Sequence, residues 1–172
     1  MKKGFMGDWT GKTWAFLTLR IWLAMRAIVT GIEKFTGTKI EERPLLDEFG
    51  EPDISGAMVE VKTKVYGFEH YHAVDAALAE ALGKEPLLPG FMLAPYYAVL
   101  GYALIGLGLM LLVGLFTRTS LFLMGLLYTS LTFGLILIQQ DGGVAWLGIH
   151  ILMIALALSW ADDNRLALTQ KG

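Results

Sequence analysis

The sequence predicts an all-α membrane protein, a bundle of four transmembrane helices with a long extracytoplasmic segment between the first two. Of its 172 residues, 55% are hydrophobic and only 17% are charged, whereas a soluble domain carries about a quarter charged residues. The charges are also unevenly distributed, because several stretches of about 20 residues, the length that crosses the hydrocarbon, are almost free of them. The net charge of -2 argues against a nucleic-acid-binding protein, which would present a basic face.

The four spans are predicted at about residues 13–35, 95–116, 120–138 and 144–160. The last three contain no Asp, Glu, Lys or Arg. Trp146 and Trp160 lie near the ends of the last span, where interfacial aromatic residues are usually found. The first span is less usual, because Arg20 and Arg26 lie inside it. A signal peptide is the competing interpretation of this stretch, but the two arginines and the lack of a small-residue cleavage site favour a retained helix.

A long segment, about residues 36–94, connects the first two spans. The alternating sequence from Met58 predicts a short strand or extended stretch. Between Val74 and Ala81, apolar residues recur at i, i+3, i+4 and i+7, which predicts an amphipathic helix near residues 73–82. We expect this helix to lie on the membrane surface or to cap the bundle. The chain is otherwise a single membrane domain over residues 1–172.

The distribution of charge predicts the orientation of the bundle. With four spans, both termini and the turn at Arg118 share one side of the membrane. That side carries six basic and three acidic residues, namely Lys2, Lys3, Lys12, Arg118, Arg165 and Lys171 against Asp8, Asp162 and Asp163. The opposite side carries twelve acidic and six basic residues between Glu33 and Ala94. The positive-inside rule therefore predicts cytoplasmic termini.

A few polar residues lie within the predicted spans, where a charge costs roughly 2.5–3.5 kcal/mol on insertion scales and suggests a function by default. Arg20 is near enough to the cytoplasmic end to extend its guanidinium toward the headgroups. One polar residue on each helix lies roughly 9–13 Å below the outer surface, at 1.5 Å of rise per residue: Arg26, Tyr102, Thr132 and His150. This layer either joins the helices by hydrogen bonds or receives a polar headgroup from the lipid.

Conventional catalytic and redox sites are not evident in the sequence. There is no cysteine, so iron–sulfur ligation, thiolate zinc sites and dithiol chemistry are excluded. His150 has no second membrane histidine with which to ligate a haem. Glu69, His70 and His72 are weak candidates for a metal site, because two histidines at i and i+2 ligate one metal only in extended structure. A solvated loop is the favoured interpretation of these three residues.

Several short motifs are familiar in combination. They are Leu19-Arg20, the GIEK stretch at Gly31–Lys34, the glycine-rich GLGLMLLVGLFTR stretch from Gly106 to Arg118, and DDNRLAL near the carboxyl terminus. Together they resemble the DoxX-like family of small four-helix membrane proteins. The resemblance implies a prokaryotic inner (cytoplasmic) membrane protein, with relatives such as the DoxD subunit of thiosulfate:quinone oxidoreductase. It also implies that Arg20, Lys34 and Arg118 occupy recurrent family positions.

The resemblance and the polar layer predict a membrane subunit of a quinone-linked redox assembly. In this hypothesis the polar layer contacts the quinone headgroup, and a partner supplies the electrons, so the chain is at most a subunit without a redox centre. The alternative is a purely structural or assembly subunit of a larger membrane complex. Both hypotheses predict other membrane or extracytoplasmic subunits, or further copies of the chain, as partners. Small-solute transport is a third and weaker hypothesis, because four helices without inverted repeats leave little room for alternating access.

Overall fold

The computed structural model describes residues 9–45, 49–51, 53 and 55–169, and within these ranges it contains five α-helices and one β-hairpin. The helices are α1 (Gly11–Glu33), α2 (Ala76–Gly83), α3 (Gly90–Val113), α4 (Thr117–Leu137) and α5 (Asp141–Ser159), and the strands are β1 (Thr36–Pro44) and β2 (Met58–Tyr66). Helices α1, α3, α4 and α5 are each long and apolar enough to cross a membrane. The four predicted spans are confirmed to this extent, as expected of a multi-pass membrane protein.

The four long helices have a narrow core and a broad apolar exterior. The core includes Leu23, Leu104, Leu111, Met124 and Ile154, which are all almost fully buried. The outward positions are also large and apolar, among them Leu126, Phe133, Ile136 and Leu152. Helices that are apolar on every side are stable only when all sides are kept from water. The exterior of this bundle therefore suits lipid.

The closest packing in the bundle is between α1 and α3, and the helices then follow in the order α3, α4, α5 and back to α1. Small residues allow the α1 and α3 backbones to approach. A Cβ added at Gly31 would lie 2.6 Å from Ile105 Cγ1, and one added at Gly108 would lie 2.7 Å from Ile28 Cγ1. Gly106 has no such neighbour within 4 Å. The return contact between α5 and α1 is looser.

The helices begin before the apolar stretches that predicted them. Helix α3 contains Pro95 inside its second turn, α4 begins at Thr117 and α5 begins at Asp141. Polar residues expected in turns thus form the first helical turns, where the leading amide groups need no partner within the helix. The turn between α3 and α4 is instead made by residues 114–116, in which Gly114 has a φ of 73°, a conformation that favours glycine.

The all-α description is incomplete, because the segment after α1 forms an antiparallel hairpin. Strands β1 and β2 pair from Thr36 opposite Tyr66 to Pro44 opposite Met58. The strand predicted from Met58 is confirmed as β2. Its partner β1 was not predicted, because the sequence TGTKIEERP has little apolar alternation. Most side chains on both strands are exposed.

The bundle has two distinct ends. We call the end that carries the described residues between 34 and 89 the hairpin pole, and the end that carries residues 160–169 the tail pole. Helix α2 lies at the hairpin pole, where the amphipathic helix was expected. Its Leu82 is buried, and a Cβ added at Gly134 of α4 would lie 3.3 Å from the Leu82 side chain. Helix α2 therefore covers the end of α4.

Candidate functional site

The loose seam between α1 and α5 contains an open recess. Its mouth encloses about 310 Å³ and is lined by Trp22, Arg26, Trp146 and His150. A narrower extension of about 90 Å³ continues inward, with the additional lining residues Thr30, Leu104, Tyr128, Leu131 and Leu147. We call the mouth and its extension the α1–α5 recess. Its volume is at the small end of the range for sites that bind small molecules.

Arg26 brings a positive charge to the mouth of the recess. It lies seven residues before the end of α1, roughly 10 Å along the helix axis from the hairpin pole. Its side chain is exposed, and it has no hydrogen bond or ion pair with any residue that the structure describes. A guanidinium at this depth is costly when nothing compensates its charge. Its five N–H donors are therefore available to a ligand.

His150 provides a buried polar atom in the same recess. The residue is only 5% exposed, and its Nδ1 lies 2.8 Å from the carbonyl oxygen of Trp146. Its ring meets the ring of Tyr128 edge to face, with 5.8 Å between centroids. Its Nε2 is buried and has no hydrogen-bond partner in the described part of the chain. Leaving such an atom without a partner is costly, and a ligand that hydrogen-bonds to it would remove this cost.

Two tryptophans form apolar walls at the mouth. Trp22 is 48% exposed and Trp146 is 67% exposed, and each lies one helical turn before the polar residue that it accompanies, Arg26 and His150 respectively. Indole rings offer flat apolar faces and an N–H donor at one edge. The recess therefore suits a flat, partly polar ring that enters from the side of the bundle.

The other two residues of the predicted polar layer lie elsewhere. Tyr102 is 52% exposed and stacks on Tyr71 at 5.5 Å between centroids. It belongs to a second recess of about 460 Å³ at the hairpin pole, lined by Ile32, Phe35, Tyr66, Gly67, Phe68, Tyr102 and Ile105. Thr132 lines neither recess, and its hydroxyl donates to the carbonyl of Tyr128 at 2.7 Å. Of the four residues, the structure brings only Arg26 and His150 together.

Arg20 lies at the tail pole in a different environment. It is 4% exposed, so its guanidinium does not extend to the headgroups as expected. Nη1 donates to Asn164 Oδ1 at 2.7 Å and to the Leu166 carbonyl, and Nη2 donates to the Leu112 carbonyl at 3.4 Å. Asn164 also donates to Thr117 Oγ1 at 2.9 Å. Arg20 therefore joins α1 to the end of α3 and, through Asn164, to the start of α4.

The residues after α5 complete this connection. We call residues 161–169 the tail. Arg118 forms an ion pair with Asp162 of the tail, and the amide of Phe116 donates to Thr169 Oγ1 at 2.7 Å. A Cβ added at Gly114 would lie 2.7 Å from Ala167 Cα, so the tail covers the α3–α4 turn. Six charged residues used to predict the orientation lie outside the described residues, namely Lys2, Lys3, Asp8, Asp47, Glu48 and Lys171.

Lys34 and Tyr71 connect the segment after β2 to helices α1 and α3 at the hairpin pole. Lys34 caps α1, and its carbonyl accepts a hydrogen bond from the His72 amide at 2.7 Å. Burial lowers the pKa of the Lys34 amine, although the charges of Asp75 and Glu33 oppose this effect. The Tyr71 hydroxyl donates to the Tyr97 carbonyl and accepts from the amide of Gly101 at 3.2 Å. Tyr71 thereby anchors the segment after β2 to α3.

In the stretch Glu69–His72, which reads E-H-Y-H, the structurally important residue is Tyr71, which was not predicted from the sequence. Glu69 Oε1 lies 3.7 Å from His70 Nε2, and His72 Nδ1 lies 2.9 Å from the His70 carbonyl oxygen. Among the residues that the structure describes, no three His, Cys, Asp or Glu side chains are grouped as metal ligands would be. Tyr128 was also overlooked, although its position four residues before Thr132 places it on the same helix face.

Comparison of the chain with protein-family models, curated proteins and solved structures gave no match. The resemblance to the DoxX-like family therefore stays a prediction from the motifs. Arg20 and Arg118, two of the positions carried over from that resemblance, both lie at the tail pole, whereas the α1–α5 recess contains none of the three.

Proposed function

We propose that this protein is a membrane subunit of a quinone-linked redox assembly and that it receives the quinone headgroup in the α1–α5 recess. One observation carries the proposal: the same recess is lined by Arg26, whose guanidinium has no partner among the described residues, and by His150, whose buried Nε2 has none either. Two unsatisfied polar groups together in an apolar bundle are costly, and a polar ligand from the bilayer satisfies both.

The chemistry of a quinone matches this lining. The headgroup is a flat ring with carbonyl acceptors, and it carries an apolar tail that stays in the lipid. Arg26 supplies hydrogen-bond donors, and Trp22 and Trp146 supply flat faces against which a ring packs. The sequence has no cysteine with which to hold an iron–sulfur cluster, so in this proposal the electrons come from a partner protein.

The proposal places the partner at the hairpin pole. The hairpin there is mostly exposed on both faces, and the Tyr71 anchor fixes the segment that follows it to α3. The charge distribution supports an outward-facing hairpin pole, and the resemblance to the DoxX-like family implies a prokaryotic inner membrane. A partner that docks on the hairpin is then extracytoplasmic.

The same hairpin favours the second candidate, a structural or assembly subunit without chemistry. An isolated two-stranded sheet is only marginally stable in water, and exposed strand edges invite pairing with another chain. If docking is the whole function, the partners purify with the protein and Arg26→Gln changes neither the composition nor the activity of the complex.

Binding of decylubiquinone to the full chain in phosphatidylcholine nanodiscs tests the proposal. We expect Arg26→Gln to weaken binding at least about tenfold, since it removes the charged donor that pairs with a headgroup carbonyl. Tyr102→Phe and Thr132→Val are matched controls, because these hydroxyls lie outside the recess and we expect no change. Absence of binding to the wild-type protein, or binding by Arg26→Gln as tight as by the two controls, contradicts the proposal.

A further inference from the structure

We infer that the α1–α5 recess selects the reduced form of its ligand, a quinol, over the oxidised quinone. The inference rests on the proposed function and specifies which member of the redox pair is bound. It follows from the hydrogen-bonding roles of the groups that line the recess, beginning with the tautomer of His150.

The hydrogen bond of Nδ1 determines what the other nitrogen of His150 can do. The partner of Nδ1 is the Trp146 carbonyl oxygen, at 2.8 Å. A carbonyl oxygen only accepts hydrogen bonds, so Nδ1 carries the hydrogen. In a neutral imidazole the second nitrogen then has a lone pair and no hydrogen. Nε2 of His150, buried and without a partner among the described residues, is therefore an acceptor that requires a donor.

No other polar side chain in the recess requires a hydrogen-bond donor from the ligand. The Arg26 guanidinium and the indoles of Trp22 and Trp146 only donate. The hydroxyls of Thr30 and Tyr128, which line the inner extension, donate and accept and so do not discriminate. Among the side chains that line the recess, Nε2 of His150 is the only polar atom that solely accepts.

The two redox forms differ in what they offer to this lining. A quinone has carbonyl oxygens that accept from Arg26, but it has no O–H and leaves Nε2 of His150 unpaired. A quinol donates one O–H to Nε2, and a hydroxyl oxygen still accepts from Arg26. Sites that hydrogen-bond a hydroxyl strongly reject analogues that lack it, because the buried group is then left without a partner.

A ligand series tests this selection on the full chain in phosphatidylcholine nanodiscs under anaerobic conditions. The probes are decylubiquinol, decylubiquinone, and the monomethyl and dimethyl ethers of the quinol. We expect the quinol to bind at least about tenfold more tightly than the quinone, the monomethyl ether to keep most of this advantage, and the dimethyl ether to lose it. A tenfold preference also raises the midpoint potential of the bound couple by about 30 mV.

Protein variants separate this preference from binding in general. We expect His150→Phe to bring the ratio of the two dissociation constants close to one, whereas Arg26→Gln weakens both forms and keeps the ratio above one. Tyr102→Phe leaves both constants unchanged. If His150→Phe does not fold, ¹⁵N NMR of the histidine side chains in the wild-type protein replaces it. We expect the Nε2 resonance of His150 to be that of an unprotonated nitrogen and to shift when quinol, but not dimethyl ether, is added.

The outcomes distinguish this inference from the proposed function. Tighter binding of the quinol with loss of preference in His150→Phe supports both. Equal binding of quinone, quinol and dimethyl ether to the recess overturns the selection and leaves the proposed function in place. Absence of binding for every probe overturns both. A protonated Nε2 in the wild-type protein also overturns the selection.

Discussion

Two arginines on the same helix show how differently a bilayer protein uses one residue type. Arg20 at the tail pole is buried and donates to three groups, while its Nε alone is buried without a partner. Arg26, six residues later, is exposed in an open recess and has no hydrogen bond or ion pair with a described residue. Arg20, with three hydrogen-bond partners, holds the fold together. Arg26, which lines the same recess as His150, marks the candidate site.

The neighbours of α1 differ in the same way. On the α3 side, Gly31 and Gly108 bring two backbones into contact, and nothing can enter between them. On the α5 side, the looser seam leaves the recess open. The close packing at the tail pole and the α1–α3 seam stabilises the bundle, whereas the open α1–α5 seam holds the candidate ligand site.

Replacing the two arginines gives the largest predicted contrast. Arg20→Gln removes hydrogen bonds from a charged donor to Asn164, Leu166 and Leu112, and we expect it to lower the free energy of unfolding by about 3 kcal/mol. Arg26→Gln should change it by less than about 0.5 kcal/mol, because no described residue loses a partner. Detergent-induced unfolding of purified protein measures both. Equal losses would show that the arginines are not used differently.

A pair of glycines on α3 tests the tight seam. Gly108→Ala places a methyl group 2.7 Å from Ile28 Cγ1 and 3.0 Å from the Ala24 carbonyl oxygen, and we expect a loss of about 2 kcal/mol from overpacking. Gly106→Ala is the matched control, because its added methyl meets nothing within 4 Å. It should be neutral or slightly stabilising, since alanine is the better helix former. The same unfolding assay compares them, and a stable Gly108→Ala would contradict the close approach.

Asn164 tests how much of the tail-pole connection depends on one side chain. Asn164→Ala removes the partner of Arg20 and of Thr117, but Arg20 keeps its bonds to two carbonyls. We therefore expect a smaller loss than for Arg20→Gln, about 1 kcal/mol. Asp162→Ala is the control, because its ion pair with Arg118 is exposed and exposed pairs contribute little. A loss in Asp162→Ala as large as in Asn164→Ala would contradict this ranking.

The smallest expected effect is at the exposed ion pairs of the hairpin. Hydrogen bonds and charge from Lys39 and Arg43 lower the pKa of the Glu41 carboxyl. Because the folded-state pKa is lowered, the resulting stability is present above the unfolded-state pKa and is lost as pH falls through the folded-state value. We expect Arg43→Gln to raise this pKa in an NMR titration. Lys62→Gln, on the other face of the hairpin opposite Ile40, should leave it unchanged.

The sequence predicted the spans well because membrane solubility imposes a strong, local requirement on composition. It placed the helix starts less well, because polar residues such as Thr117 and Asp141 are accommodated in a first helical turn. Strand β1 was missed for a different reason. Its residues are mostly exposed on both faces, so no alternation between apolar and polar positions is required of them.

The site was only partly predictable, because sequence gives depth along a helix but not rotation about the bundle. The rise per residue placed Arg26, Tyr102, Thr132 and His150 at similar depths. Which of them meet depends on how each helix is turned, and that is decided by packing such as the contact of Gly31 with α3. The structure brings Arg26 and His150 into one recess and leaves the other two outside.

Photochemical labelling with an azido-quinone in nanodiscs, followed by mapping of the labelled peptides, tests the central claim most directly. If the α1–α5 recess receives the headgroup, the label is found on α1 and α5 near Trp22 and Trp146, is lost in Arg26→Gln and persists in Tyr102→Phe. Label on the hairpin-pole recess around Tyr102, or labelling that Arg26→Gln does not reduce, would contradict the account.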